Sequence, residues 1–256
     1  MKEKRQKRHG QFLLLALLLC CVSVWQVLSI LWPAAAPADS TVQDVTLPPE
    51  EPSPAAGEQL IALTFDDGPH SVYTPRLLDA LQQRGVHATF FLIGEQVSDN
   101  AALVERMDLA GHQIGLHTFT HVELTELSNG QIAQEIASSR SVLRDLLGRD
   151  DFWLRPPYGI TNSRVLKQVD TPFIIWSVDP EDWRDRNADR VTAQVLAEAQ
   201  DGDIILMHDI FPESVEAAVR IVDELQGRGF RFVTVEELFA QKGVTPQNGT
   251  RYSDAR

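Results

Sequence analysis

Unbroken apolar runs such as Phe173-Ile174-Ile175-Trp176 and Ile204-Ile205-Leu206-Met207 constrain this chain more than any other feature. A strand with one wet face alternates apolar and polar residues, so continuous runs belong to strands covered on both faces. Strand-like segments recur at 60–65, 88–93, 113–117, 152–155, 172–178, 203–208 and 231–235. Helical patterns stand between them, near 74–84, 95–110, 128–147, 161–168, 189–200, 213–227 and 236–241. Seven strand-then-helix units predict an α/β domain built on a parallel sheet. A barrel and a doubly wound sheet both satisfy that alternation. The polar strings favour the barrel, because they fall at the carboxyl ends of five different strands, and a barrel gathers its strand ends around one rim.

The first 57 residues read differently. Residues 1–11 carry Lys2, Lys4, Arg5, Lys7 and Arg8, and residues 12–32 then run apolar from Phe12 to Trp32. That apolar length approaches the roughly 20 residues that span a bilayer and exceeds the about 7–15 of a cleavable signal. The expectation is a basic cytoplasmic segment at 1–11 and a transmembrane signal anchor at 12–32, with everything after it extracytoplasmic. Ala36-Pro37-Ala38 leaves secretion after cleavage as the alternative. Residues 33–57 are rich in proline, alanine and acids, and read as a linker, semi-extended at about 3.1 Å per residue and able to reach roughly 75 Å. Cys20 and Cys21 both lie inside the apolar segment, so the domain at 58–242 has no disulfide and must be held by its core. Residues 243–256 read as a polar, loose tail. The formal net charge of −13 argues against nucleic acid as a partner. The expected partners are a glycan and, through the anchor, a membrane; oligomeric state stays open.

Three strings carry the chemistry: Thr64-Phe65-Asp66-Asp67-Gly68, His117-Thr118-Phe119-Thr120-His121 and Arg155-Pro156-Pro157-Tyr158. Together they offer a spare carboxylate, three metal donors and an arginine. Structural zinc is closed by four protein ligands, usually with cysteine, whereas a catalytic site uses three and leaves a position for water. Asp67, His117 and His121 make three. Four-residue spacing predicts both imidazoles on one side of a helical turn. An aspartate with two histidines suits zinc, and iron or cobalt as well. Adjacent carboxylates at a strand end point in different directions, so Asp66 and Asp67 are expected to have different jobs. His9, His70, His87 and His112 read as surface or core histidines, although His70 follows Asp-Asp-Gly-Pro and a place at the border of the site stays open for it, and Trp176 reads as core.

With Trp176-Ser177-Val178-Asp179-Pro180-Glu181-Asp182-Trp183 and Ile205-Leu206-Met207-His208 added, five motifs stand in order over residues 59–240. In this the chain resembles the polysaccharide deacetylases of carbohydrate esterase family 4, the NodB homology domain. The resemblance implies a deformed (β/α)7-8 barrel and a divalent metal, usually zinc, that activates water against an acetyl group. It also implies roles. Asp66 matches the general base, and Asp67, His117 and His121 match the metal ligands. Arg155 matches the residue that orients the base, and the Tyr158 backbone N–H the oxyanion donor. Leu206 and Trp183 match the lining of the acetyl pocket, and His208 matches the general acid. Asp182, rather than Asp179, is expected to support His208.

These expectations converge on a metal hydrolase that removes N-acetyl groups from an amino-sugar polymer or oligomer, with peptidoglycan first and chitooligosaccharide next. An O-acetyl esterase acting on xylan is the enzymatic rival. A non-catalytic glycan-binding domain is the rival from another class, and its mark would be a missing ligand or a replaced base.

Overall fold

The computed structural model describes residues 58–256. The basic segment at 1–11, the anchor at 12–32 and the linker at 33–57 lie outside the described residues, among which no helix is long and apolar enough to cross a membrane.

Strand β1 (Gln59–Asp66) is the centre of the sheet and is buried from Leu60 onward. It pairs in parallel with β2 (Thr89–Leu92) on one edge and with β5 (Ile204–His208) on the other. Strand β2 pairs with β3 (Gln113–Leu116), again in parallel. From there the circuit continues through single residues. Leu154 bridges Leu116 to Phe173 in β4 (Phe173–Ile174), and Val178 bridges onward to Ile205 in β5. All these pairings are parallel, and they close a ring from β1 back to β1. Strand β6 (Phe230–Val233) pairs with the first half of β1. The ring is therefore a deformed barrel. Its weak stave is the run predicted at 152–155, reduced to the single bridging residue Leu154 because Pro156 and Pro157 have no N–H to extend a ladder. The run predicted at 172–178 likewise keeps only β4 and the Val178 bridge.

Helices follow the strands as the alternation requires: α1 (Tyr73–Gln83), α4 (Asn129–Leu147), α5 (Ser163–Gln168), α7 (Ala188–Glu198), α8 (Pro212–Gly227) and α9 (Val235–Gln241). Ser128 and Gln131 form a reciprocal capping box at the start of α4, and Gly148, with φ +71°, ends it in the left-handed conformation. The helix predicted at 95–110 is instead two pieces, α2 (Gly94–Val97) and α3 (Ala101–Leu109), separated by a 3-10 turn at Ser98–Asn100. The Asn100 side chain donates to the Gln96 carbonyl at 2.9 Å, the local competition by which asparagine interrupts helices. A one-turn helix, α6 (Asp182–Asp185), was not foreseen.

Strand alternation sorts the core into two clusters. Ile61, Leu63, Phe65, Ile205 and Met207 face outward and pack with Leu77, Leu78 and Leu81 of α1 and Ile221 and Leu225 of α8. Leu60, Ala62, Phe91, Ile174 and Ile204 face inward, above a floor of Val235, Leu238 and Phe239 from α9. Climbing the inner face of β1, the side chains read Leu60, Ala62, Thr64, Asp66: apolar at the floor, polar at the rim.

The tail is not loose. Strand β7 (Arg251–Tyr252) pairs with β4, Phe173 N–H donates to the Thr250 carbonyl at 2.9 Å and Ile175 N–H to the Tyr252 carbonyl at 2.7 Å. The exposed edge of β4 needed backbone partners, and the tail supplies them while Tyr252 and Ala255 pack under the barrel.

Candidate active site

Asp66 ends β1 on the barrel's inner face, buried, with its Oδ1 2.7 Å from Arg155 Nη1. Arg155 is fully buried in the barrel and spends its donors on fixed acceptors. Nε donates to the Ile174 carbonyl at 3.1 Å, Nη2 to the Ile175 carbonyl at 2.9 Å, and Nη1 also to Thr64 Oγ1 at 2.7 Å. The guanidinium lies 4.2 Å from the Phe91 ring centroid. Burial pulls its pKa down, opposed chiefly by the charge of Asp66.

One residue on, the backbone turns left-handed. Asp67 has φ +69°, which aspartate tolerates better than most residues, and this swings its carboxylate away from the direction taken by Asp66. Asp67 Oδ1 lies 3.4 Å from His117 Nε2 and 3.1 Å from His121 Nε2. Burial alone would raise the Asp67 pKa, but the two imidazoles, with His208 further off, hold it well below the usual carboxylate range.

The two histidines do not share a helical turn. His117 directly follows β3 and His121 lies in a loop, with Thr118 and His121 at φ +62° and +59°. Two left-handed residues fold the loop back, so the imidazole centroids stand 5.0 Å apart. His117 Nδ1 is 2.8 Å from the Arg155 carbonyl, which can only accept, so Nδ1 donates there and Nε2 is the ring nitrogen turned toward Asp67. Asp67 Oδ1 is buried and, among the described residues, has no hydrogen-bond partner. Donor atoms of Asp67, His117 and His121 all lie within 4.8 Å of one another. A buried carboxylate oxygen left without a partner beside two converging imidazole nitrogens fits a three-ligand site for a divalent cation, with His117 oriented by a backbone carbonyl.

His208 ends β5 across from the metal donors, its Nε2 4.0 Å from Asp67 Oδ2. Asp182 holds it twice, with Oδ1 2.8 Å from Nδ1 and Oδ2 accepting the His208 backbone N–H at 2.9 Å. Burial lowers the His208 pKa, but the Asp182 bond and charge, helped by Asp66 and Asp67, push it up to about 9. Asp179 accepts the Glu181 N–H at 2.9 Å, while the carboxylate hydrogen-bonded to His208 is that of Asp182; burial raises the Asp179 pKa.

These groups surround one cavity of about 340 Å³, walled on the far side by Tyr158, Trp176, Asp179, Trp183, Leu206 and Phe211. Its size and its mixture of aromatic walls with few polar groups suit a small ligand or one sugar ring. Tyr158, with φ +61°, meets His121 edge-on at 4.9 Å and is itself mostly exposed, and Trp183 is about half exposed. All ten residues singled out in the sequence are thus in or against one site. Trp176, read as core, does both: it is half-buried, packs against the inner core cluster and also lines the cavity, with its ring close to Gly159. His70 is not among the lining residues; its Nδ1 accepts the Val72 and Tyr73 N–H groups at the start of α1.

Sequence reasoning missed Phe211, Thr64 and Asp209. Asp209 is fully buried behind the Asp67-Gly68 turn, where it accepts from Thr74 Oγ1, and burial pushes its pKa up to about 7. Only glycine fits opposite it, since a Cβ on Gly68 would stand 2.5 Å from Asp209 Oδ1. The Asp-Asp-Gly spacing held that signal, but its partner is 141 positions away in sequence.

The family model described as polysaccharide deacetylase matches residues 53–171. The chain is 42% identical over 206 residues to the peptidoglycan-N-acetylglucosamine deacetylase PgdA of Listeria monocytogenes, a match covering 80% of this chain and 43% of that protein. It therefore spans less than half the length of that relative. It is 34% identical over 204 residues to the chitooligosaccharide deacetylase of Bradyrhizobium sp. (strain ANU 289), covering 72% of this chain and 92% of that one. Among solved structures, a family 4 acetyl xylan esterase from Clostridium thermocellum in complex with a cobalt ion is similar at TM-score 0.73 and 36% identity, over 77% of this chain and 98% of that chain.

Proposed function

The chain belongs to the polysaccharide deacetylase family, and from that premise we propose that it is a metal-dependent hydrolase removing N-acetyl groups from an amino-sugar polymer, peptidoglycan first and chitooligosaccharide next. The observation that carries this reading is the division of labour between two adjacent aspartates: Asp66 bound to Arg155, Asp67 turned to two imidazoles. Zinc is the first choice for the ion, with cobalt the nearest alternative. Held by Asp67, His117 and His121, such an ion supplies Lewis acidity, which polarises a carbonyl and acidifies water.

The chain's own groups do the rest. Asp66 takes the proton from the attacking water, its carboxylate aimed by Arg155. The Tyr158 N–H stabilises charge on the acetyl oxygen, a contribution typically of about 2.7–4 kcal/mol per well-placed donor. His208, held protonated by Asp182, gives its proton to the departing nitrogen. An amine leaves poorly without that proton whereas an alkoxide needs it less, so the investment in a raised His208 pKa favours an amide substrate. Leu206, Trp183 and Trp176 wall the acetyl and sugar rings. The apolar stretch at 12–32 gives the proposed location, a single-pass anchor with the enzyme outside the cytoplasm.

The likeness to an acetyl xylan esterase supports O-deacetylation as the second reading. Acetate release decides between them, measured for the metal-stripped and zinc-loaded protein on peptidoglycan, chitooligosaccharide and acetylated xylan. Zinc-dependent release from an amino-sugar substrate is expected; release from xylan alone would move the assignment to the esterase. Asp66→Asn should keep its metal and lose roughly 10²–10⁴ in rate. Full activity in that variant would remove Asp66 as the base.

A further inference from the structure

We infer that Glu135, on α4 and outside the cavity, is the positioning residue that presents His117 and His121 as a pair. The inference rests on the metal-site reading above. The loop between the two histidines is demanding, since Thr118 and His121 both hold left-handed backbone without being glycine. Such conformations persist only where the surroundings over-determine them. Here two elements do so from opposite sides.

From α2, the Gly94 and Glu95 N–H groups donate to the Thr118 and Phe119 carbonyls, both at 3.0 Å. That approach needs glycine, because a Cβ on Gly94 would stand 2.6 Å from Phe119 Cδ2. From α4, one carboxylate takes three donors of the loop. Glu135 Oε2 accepts the Phe119 and Thr120 N–H groups, each at 2.9 Å, and Oε1 accepts Thr120 Oγ1 at 3.0 Å. The Thr118-Phe119 and Phe119-Thr120 peptide groups between the two ligands are thus each fixed through both carbonyl and N–H. His117 is also anchored by β3 and the Arg155 carbonyl, whereas His121 is a quarter exposed and depends on the loop for its place. An ionised acceptor is the strongest available for two converging N–H groups.

The test is zinc affinity of the full chain, read by competition with a chromophoric chelator, beside the thermal midpoint of the metal-free protein. Glu135→Ala should bind zinc about 10–100-fold more weakly, as loss of outer-shell support typically does, with a small change in the metal-free midpoint. Glu135→Gln, which keeps an oxygen for both N–H groups, should recover most of that affinity. Undiminished binding by Glu135→Ala beside a zinc-binding wild type would overturn this inference alone. A wild type that takes up no divalent metal would overturn the metal-site reading, and this inference with it. If Glu135→Ala fails to fold, Thr120→Val decides, since it removes one of the three bonds from an exposed side chain: weakened binding supports the clamp, and unchanged binding refutes it.

Discussion

Asp182 grips His208 through both carboxylate oxygens, one on the ring and one on the backbone N–H, so it sets the position and the charge of the imidazole together. The sign of the pH dependence follows. His208 keeps the proton it must donate below about 9 and loses it as pH rises through that value. In Asp182→Asn the raising partner is gone while burial still lowers the pKa, so the alkaline limb of kcat/KM should move to lower pH. The shape of the profile checks this even if the amplitude falls; an unmoved alkaline limb would mean that another group is the acid. Asp209 and Glu135 act at the same scale without touching the cavity, one behind the Asp67-Gly68 turn and the other behind the histidine loop.

Among the elements, β7 does more than finish the chain. It completes the free edge of β4, and the carbonyls of Ile174 in that strand and Ile175 just after it hold Arg155, which in turn holds Asp66. Deleting residues 250–256 removes backbone bonds from Phe173, Ile175 and Gly202, at roughly 1 kcal/mol each. A loss on the order of 3 kcal/mol in urea unfolding is expected. Activity should fall as well, because the guanidinium loses its fixed carbonyls; full activity in the truncated chain would show that β4 needs no partner to aim Arg155. The Gly94 and Glu95 N–H groups can reach the histidine loop because they stand in the first turn of α2, where a helix leaves its N–H groups without intrahelical acceptors.

For the molecule as a whole, stability in acid should be governed partly by the far end of the barrel. His112 is buried below β3, accepts the Ala88 N–H at 3.1 Å, and has its pKa lowered to about 4 by burial, with His87 and Arg106 adding to the effect. Between about 4 and the unfolded value of 6.5, the unfolded chain binds a proton that the folded chain refuses. Stability from this group is therefore complete above 6.5 and declines as pH falls through that window, by up to about 3 kcal/mol. His112→Asn keeps an acceptor without the titration and should flatten thermal midpoints over that range; an unchanged slope would assign the acid sensitivity elsewhere.

Much of this architecture was legible in one dimension, because strand and helix periodicity are local properties. The strand positions β1, β2, β3, β5 and β6, the helices around them and the five motifs at strand ends all follow from patterns a few residues long. The pairing of Asp182 with His208 was also anticipated. Tertiary structure decided the rest. It bent 117–121 into a left-handed loop instead of a helical turn, brought Trp176 to the cavity wall, and drew the polar tail onto β4. It also placed Asp209 behind Gly68 and Glu135 behind the histidines. Those outcomes depend on which surfaces meet across 16 to 141 residues of chain. Residue spacing carries no record of such meetings, since they are selected by the backbone groups and volumes left unsatisfied once the barrel has closed.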